Sequence, residues 1–415
     1  MHIGFIATRL HGTDGVTLEV EKWAQVLRKL GHEIFFCAGE LGGYAKDGTL
    51  IPELHFADQT IFALSQRAFG SEPDEDGDAL ADQIYSRADE MRAPLRNFIR
   101  SNKLDLIIVQ NALTIPMNLP LGVSLTGLIA ELGIDTIAHH HDFFWERQRY
   151  QTNAILDLLD TAFPAKLPNI QHVTINSIAK ARLNARRGIS SIVIPNVFDF
   201  SSPPPVIDDF NMDFRADLGL SDGDLLILQP TRVIQRKGIE MSIEILKRLD
   251  GAKPHLFITH RADDEGLSYW RWLKREASVM NVDVQLIDYA IGSQRGRIND
   301  HKIYSLWDAY LHADLITYPS LYEGFGNALL ESIFVKKITV VNRYPVYNAD
   351  IKPYGFEFIE LDGFVSEDSI EQVIGLINSP DQVKEITDKN FQIAREHFSL
   401  DVLERNLKEL IANFK

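Results

Sequence analysis

The chain contains one cysteine, Cys37, which excludes an internal disulfide framework and a cysteine-based zinc site. Set within Ile34-Phe-Phe-Cys-Ala, it reads as a packing residue. No apolar run is long enough to cross a bilayer. A strand-like stretch, His2-Ile-Gly-Phe-Ile-Ala-Thr, begins at once, without a basic segment or cleavage site before it, so no secretory signal is read and a cytoplasmic location is expected. Positive charge is in deficit. The formal net charge of −16 at pH 7 argues against nucleic acid and against an anionic membrane surface as partners. An acidic stretch, Glu72 to Asp78, reads as an exposed loop.

What is present points to two α/β domains. With 415 residues and 45% hydrophobic content, the chain can bury two cores of roughly 200 residues each. Apolar strand candidates alternate with amphipathic helices, the pattern of parallel sheets covered on both faces. In the first half they fall at 3–7, 33–38, 104–110, 134–139, 171–176 and 191–195, and in the second at 224–230, 255–260, 283–288, 314–318 and 338–342. Between the series lies Ser201-Ser-Pro-Pro-Pro205, which neither a helix nor a central strand tolerates, so the domain boundary is placed there, giving domains 1–200 and 201–397. Residues 398–415 read as a terminal helix with apolar positions at 403, 407, 410 and 411.

Two segments of the second half carry chemistry. In Tyr318-Pro-Ser-Leu-Tyr-Glu323-Gly-Phe-Gly-Asn-Ala-Leu-Leu-Glu331 a short strand ends in proline, a glycine turn follows, and helical spacing starts at Asn327. Gly324 and Gly326 allow backbone to approach a ligand, Phe325 and Asn327 complete the turn, and the free N–H groups of the helix favour a diphosphate. Glu323 and Glu331 flank this turn, so that one carboxylate suits sugar hydroxyls and the other a ribose diol. In Asp224-Leu-Leu-Ile-Leu-Gln-Pro-Thr-Arg232-Val-Ile-Gln-Arg-Lys237-Gly238, two cations follow a strand end and precede a helix. Arg232 and Lys237 held beside a departing diphosphate stabilise the transition state more than the ground state. Arg236 is a third cation in that loop, with an open role.

The first half has two clusters. Arg9-Leu-His11-Gly12-Thr-Asp-Gly15 joins the first strand to a helix with Val16, Val20, Trp23, Leu27 and Leu30 on one face, and it lacks the three-glycine spacing of a dinucleotide fold. His139-His-His141-Asp142-Phe-Phe-Trp145-Glu-Arg147 follows another strand. Successive strand side chains point to opposite faces, so three consecutive histidines cannot converge on one metal ion, and no metal site is expected. Phe143, Phe144 and Trp145 suit either packing or a sugar face, and Arg147 suits a carboxylate or phosphate.

Taken together, Glu323-x7-Glu331, Arg232-x4-Lys237-Gly238, the His141-Asp142 pair and the hinge-like Pro195-Asn196-Val-Phe-Asp199 resemble the retaining glycosyltransferases of family 4, which include sucrose-phosphate synthases. The hinge segment departs from that pattern, with Val-Phe where the family has Gly-Val. The resemblance implies the GT-B fold: two Rossmann-like, doubly wound parallel-sheet domains facing each other across a cleft. The terminal helix 398–415 would then cross back to the N-terminal, acceptor-binding domain, and the C-terminal domain would bind the nucleotide sugar. It implies donor contacts by Gly15, Arg232, Lys237, Gly324, Phe325, Gly326, Asn327 and Glu331, and catalytic contacts by Glu323, His141, Arg232 and Lys237. Acceptor contacts are expected from Arg9, His11, Gly12, Asp142, Trp145 and Arg147. Neither a cofactor nor a divalent metal is expected to be required, because fixed cations replace it.

Family members acting on lipids carry a basic, aromatic-rich amphipathic helix, which is lacking here, so a soluble acceptor is expected, with no strong membrane association. The runs around His139 and Glu323 are similar to a subgroup that moves mannose from GDP-mannose to glucosylglycerate, with UDP-glucose the rival donor. The base-recognition loop, near Asp288 to Ser293, carries no readable code for guanine or uracil. A nucleotide-sugar epimerase of the same fold, or a non-catalytic nucleotide-sugar-binding subunit, are the alternatives. The residues neither require nor exclude a homo-oligomer.

Overall fold

The computed structural model describes residues 1–12, 14–70, 76–249, 251, 253–261 and 267–414. They form two compact units: Met1–Val197 together with the chain from Leu400 onward, and Phe198–Ser399. The stretch Ser201–Pro205 belongs to no helix or strand, is mostly exposed and lies inside the second unit. Phe198 and Ser399, where the second unit begins and ends, form a parallel bridge with each other.

The first unit is built on a seven-stranded parallel sheet. Its strands are β1 (His2–Ala7), β2 (Glu33–Ala38), β3 (Thr49–Leu50), β4 (Leu106–Gln110), β5 (Asp135–His140), β6 (Ile170–Thr174) and β7 (Ser191–Val193), in the order β3-β2-β1-β4-β5-β6-β7. Period-two alternation divides their side chains between two cores. Phe5, Ile108 and Ile137 meet Val20, Trp23 and Leu27 of the helix Gly15–Lys29, and Leu403, Leu407, Leu410 and Ile411 of the helix Leu400–Ala412. Ile6, Val109 and Ala138 face the helices Gly77–Ser101 and Leu119–Leu132 on the other side. Cys37 is buried in this second core, and burial pushes its thiol up to about 12, so it is inert packing.

In the second unit, β8 (Leu225–Arg232), β9 (Pro254–His260) and β10 (Asp283–Leu286) precede a small sheet of β11 (Ile291–Gly292), β12 (Gly296–Ile298) and β13 (His301–Ser305). The chain then returns through β14 (Leu315–Tyr318), β15 (Thr339–Asn342) and β16 (Ile359–Leu361) to complete a six-stranded parallel sheet in the order β10-β9-β8-β14-β15-β16. Of the acidic stretch read as a loop, residues 72–75 lie outside the described residues. Asp76 caps the helix Gly77–Ser101 by accepting the Ala79 N–H at 3.0 Å, so Gly77 and Asp78 are helical rather than loop.

Each sheet has one place where the strand order reverses. In the first it lies between β1 and β4, in the second between β8 and β14. At such a point two neighbouring connections leave in opposite directions and open a crevice at the strand C-termini. The loops after β1, β4, β8 and β14 therefore identify where each unit can hold a ligand.

Candidate active site

At the second unit's reversal point, the loop after β8 and the turn after β14 are bonded together. The Leu321 N–H donates to the Arg236 carbonyl at 2.8 Å, and Arg236 Nη1 donates to the Tyr322 carbonyl at 3.1 Å. Glycine makes this approach possible. Gly238 has φ +60° and caps the helix Ile239–Arg248, and a Cβ there would stand 2.4 Å from the Pro319 carbonyl oxygen. Gly326 has φ +136° at the start of the helix Asn327–Phe334, and its Cβ would stand 2.6 Å from the Tyr344 hydroxyl. That hydroxyl instead donates to the Phe325 carbonyl at 2.6 Å, holding the turn against β15 and its following loop.

Glu323 sits at the centre of this junction and is almost wholly buried. One carboxylate oxygen pairs with Lys237 Nζ, and the other accepts from Arg236 Nη1 at 2.9 Å. Burial by itself would push the carboxyl up, but the two cations outweigh it and hold Glu323 down at about 2. Lys237 is likewise buried, with its ammonium 5.4 Å from the Tyr318 ring centroid. Burial lowers its pKa against the opposing pull of Glu323, and Arg232 lies near enough to push in the same direction as burial. Two cations thus hold one carboxylate, and a third, Arg232, acts on Lys237. The excess positive charge at the N-terminus of the helix Asn327–Phe334 suits a diphosphate.

Glu331 lies farther along that helix, and its Oε2 accepts from the Tyr310 hydroxyl at 2.9 Å. The structure therefore brings Arg232, Lys237, Glu323, Gly324, Phe325, Gly326, Asn327 and Glu331 to one strand-end region. It adds Arg236, whose role the sequence left open, together with Tyr310 and Tyr344, which spacing could not reveal because they come from other elements.

At the first unit's reversal point, Asp14 caps the helix Gly15–Lys29, accepting from Val16 N at 3.1 Å, Thr17 N at 3.2 Å and the Thr17 hydroxyl at 2.7 Å. Arg9 reaches Asp14 only at 3.4 Å, and Gly12, at φ +88°, turns the chain between them. His11 lies 3.3 Å from Glu40.

The three histidines diverge. His139 and His141 lie on one side of β5, with ring centroids 4.4 Å apart, and Trp23 stacks on His139 at 4.3 Å. His140 turns the other way, bonding to the Thr114 hydroxyl and to His172 Nδ1, the latter at 2.9 Å. Burial lowers His141 to about 4, although Asp142 and Asp14 pull it upward, and burial keeps His139 and His140 well below the ordinary histidine range. All three are neutral at pH 7. Among the described residues, no group of three or more His, Cys, Asp or Glu side chains is placed to hold a metal ion.

Two of the expected acceptor ligands engage each other, as Arg147 forms an ion pair with Asp142 through Nε and Nη2. Phe143 and Phe144 are buried packing residues, and Trp145 stacks on Phe143 at 4.5 Å. Sequence reasoning missed Gln110 and Asn111 at the end of β4. Asn111 Oδ1 accepts the His141 N–H at 3.0 Å, and Asn111 Nδ2 donates to Asp142 Oδ1 at 3.1 Å. A left-handed Asn111, φ +58°, was the available signal, but it shows only in the fold.

No family model matches the chain. Solved structures share the fold over its whole length. They include a glycosyltransferase from Rickettsia africae (TM-score 0.70, 15% identity, 100% of this chain and 98% of that one). Anabaena HepE in complex with UDP-glucose superimposes with a TM-score of 0.66 at 14% identity, covering 100% of both chains. The sucrose-phosphate synthase of Thermosynechococcus elongatus gives 0.66 at 13% identity, covering 99% of this chain and 98% of that one. The two parallel-sheet units, each with a crevice at its strand ends, have the GT-B fold class that these structures share.

Within that class the relatives are more specific. The mannosylglucosylglycerate synthase of Petrotoga mobilis is 35% identical over 100% of this chain and 98% of its own length. That of Thermotoga maritima is 32% identical over 97% and 98%. The chain belongs to the mannosylglucosylglycerate synthase family.

The ion cluster generates a test. Glu323→Gln leaves a buried ammonium without its counter-charge, and the expected cost is about 3–5 kcal/mol in urea unfolding. Replacing both partners, with Glu323→Leu and Lys237→Met, is expected to cost less than Glu323→Gln alone. Additive losses would show that the two groups do not depend on each other.

Proposed function

We propose that the chain transfers mannose from GDP-mannose to glucosylglycerate with retention of anomeric configuration. The observation that carries this reading is its match, from end to end, to two mannosylglucosylglycerate synthases. The donor's C1–oxygen bond to the diphosphate breaks as the acceptor hydroxyl oxygen bonds to C1 on the same face, and the departing phosphate oxygen takes the acceptor's proton. An oxocarbenium-like transition state separates positive charge on the sugar from negative charge on the diphosphate.

Each residue has a physical part in this scheme. Arg232, Lys237 and the N–H groups from Gly324 to Asn327 stabilise the diphosphate as its charge grows. Glu331 holds the ribose diol. Glu323, ionised and able only to accept, takes hydrogen bonds from donor-sugar hydroxyls. In the first unit, His141 is assigned to the donor sugar, the loop with Gly12 and Gly15 to the phosphates and acceptor, and His11 and Trp145 to the acceptor. Arg9 is the better receiver of the glycerate carboxylate than Arg147. Its contact to Asp14 is long and both side chains are over a third exposed, so that pair is weak, whereas Arg147 is committed to Asp142.

Three measurements test the proposal. Thermal stabilisation by GDP, UDP and their mannose and glucose conjugates is expected to be largest for GDP-mannose. Stabilisation by UDP-glucose alone would replace the donor, and no shift with any nucleotide sugar would remove the reading. Lys237→Ala is expected to lose roughly 2–4 kcal/mol of transition-state stabilisation, seen mainly in kcat. A loss confined to donor affinity would instead indicate a binding subunit. Because fixed cations occupy the diphosphate region, transfer is expected to persist in EDTA, and complete loss restored by Mg²⁺ would contradict a metal-independent mechanism.

A further inference from the structure

The end of β4 grips the segment that carries His141. Gln110 pairs in register with His139 across β4 and β5, and the backbone N–H of Asn111 donates to the His139 carbonyl at 3.0 Å. The Asn111 side chain then ties down the His141 N–H and the Asp142 carboxylate, as described above. These contacts leave two freedoms in the histidine, the orientation and the proton of its ring. The Gln110 side chain controls both. It is 2% exposed, and its Oε1 lies 3.2 Å from His141 Nε2. A carboxamide oxygen only accepts, so this contact favours the proton on Nε2 and the lone pair on Nδ1. The His139 ring, backed by Trp23, packs against the same imidazole.

We infer that Gln110 is a positioning residue for glycosyl transfer, fixing His141 as the neutral Nε2–H tautomer so that its Nδ1 accepts a hydrogen bond from a sugar hydroxyl. This rests on the assignment of His141 to the donor sugar. Glutamine suits the task because it is uncharged. The groups facing His141 are His139, His140 and Asp142 on its own segment, with Asp142 bound to Arg147, and Asp14 and Lys22 from the Gly15–Lys29 helix and its cap. β4 contributes only the two amides, Gln110 and Asn111. Burial prevails over the two aspartates and keeps the ring neutral until about pH 4. A carboxylate in place of the amide would favour the imidazolium, which has no lone pair to offer.

The test is ¹⁵N NMR of histidine-labelled full-length protein, with the His141 signals assigned by difference from His141→Asn, together with pH profiles of mannosyl transfer from GDP-mannose to glucosylglycerate. The wild-type ring is expected to show Nε2–H and to stay neutral down to about pH 4. Gln110→Glu is expected to raise the His141 titration by at least roughly one pH unit, the effect of an adjacent carboxylate. Its kcat should fall as pH drops through that raised value and approach wild type above it. An Nδ1–H spectrum in the wild type, which requires no variant to fold, overturns the positioning role whatever the activity. The expected spectra with parallel pH profiles overturn the assignment of His141 to the sugar instead. Gln110→Leu, which adds no charge, is expected to leave the pH profile unshifted, and a shift like that of Gln110→Glu would overturn the electrostatic argument.

Discussion

The second unit's site depends on a carboxylate kept ionised inside the protein. Glu323 is buried, and a buried carboxylate without compensation would take up a proton. Lys237 and Arg236 prevent this, and both come from the loop after β8, whereas Glu323 comes from the turn after β14. The pair therefore works only if those two connections touch. Glycine at 238 admits the Pro319 carbonyl, and glycine at 326 admits the Tyr344 hydroxyl, so the backbone contacts and the ion cluster require each other. Such a cluster is not evidence of high stability, since desolvation offsets much of the Coulombic gain. Its effect is to hold cations in place before any ligand arrives, which removes the reorganisation that mobile lysines would need.

The first unit handles its polar residues in the opposite way. Four histidines, His139, His140, His141 and His172, are gathered at the end of β5 and on neighbouring β6, and burial lowers the pKa of each. The nearby charges are neutralised in pairs, Arg147 with Asp142 and Lys22 with the buried Glu19. A neutral imidazole can orient a hydroxyl without adding charge next to a developing oxocarbenium ion. A histidinium there would oppose that charge. One unit thus gathers a cationic cluster and the other neutral rings; in the reaction proposed, Arg232 and Lys237 would meet the leaving-group charge, and a neutral His141 would add no cation beside the sugar.

What could be read from the chain was what lies close together in it. Glu323 and Glu331 share one strand-turn-helix segment, and Arg232 and Lys237 share another, so their spacing carried the family resemblance from which their roles are expected. The parallel sheets were legible because buried strands such as Leu225–Arg232 are apolar on both faces. Strand ends were misplaced by one or two residues, as at β4, which begins at Leu106 rather than 104 because Lys103 adopts a left-handed turn at φ +49°. β16 escaped notice because three residues carry too little periodicity, and the small sheet of β11, β12 and β13 because its strands are only two, three and five residues long. Gln110, Asn111, Tyr310 and Tyr344 act on residues 19 or more positions away, between 31 for Gln110 and 19 for Tyr344. Only tertiary packing makes those pairs.

The location of the positive charge also bears on how a donor is bound. The chain as a whole carries −16, yet Arg236 and Lys237 hold a single carboxylate and Arg232 acts on Lys237. At physiological salt the field of the whole protein decays over about 8 Å, so distant acidic residues repel an incoming diphosphate only weakly. Close to the strand ends the local cations dominate, in a partly desolvated setting where screening is least effective. Long-range attraction of anions in general is thereby avoided, and in the reaction proposed binding would be left to ligands that bring a diphosphate against the helix N-terminus while presenting a diol to Glu331 and hydroxyls to Glu323. An inorganic anion satisfies only the first of these requirements. In the reaction proposed, discrimination in favour of a nucleotide sugar would arise from Glu323 and Glu331 holding different parts of one ligand.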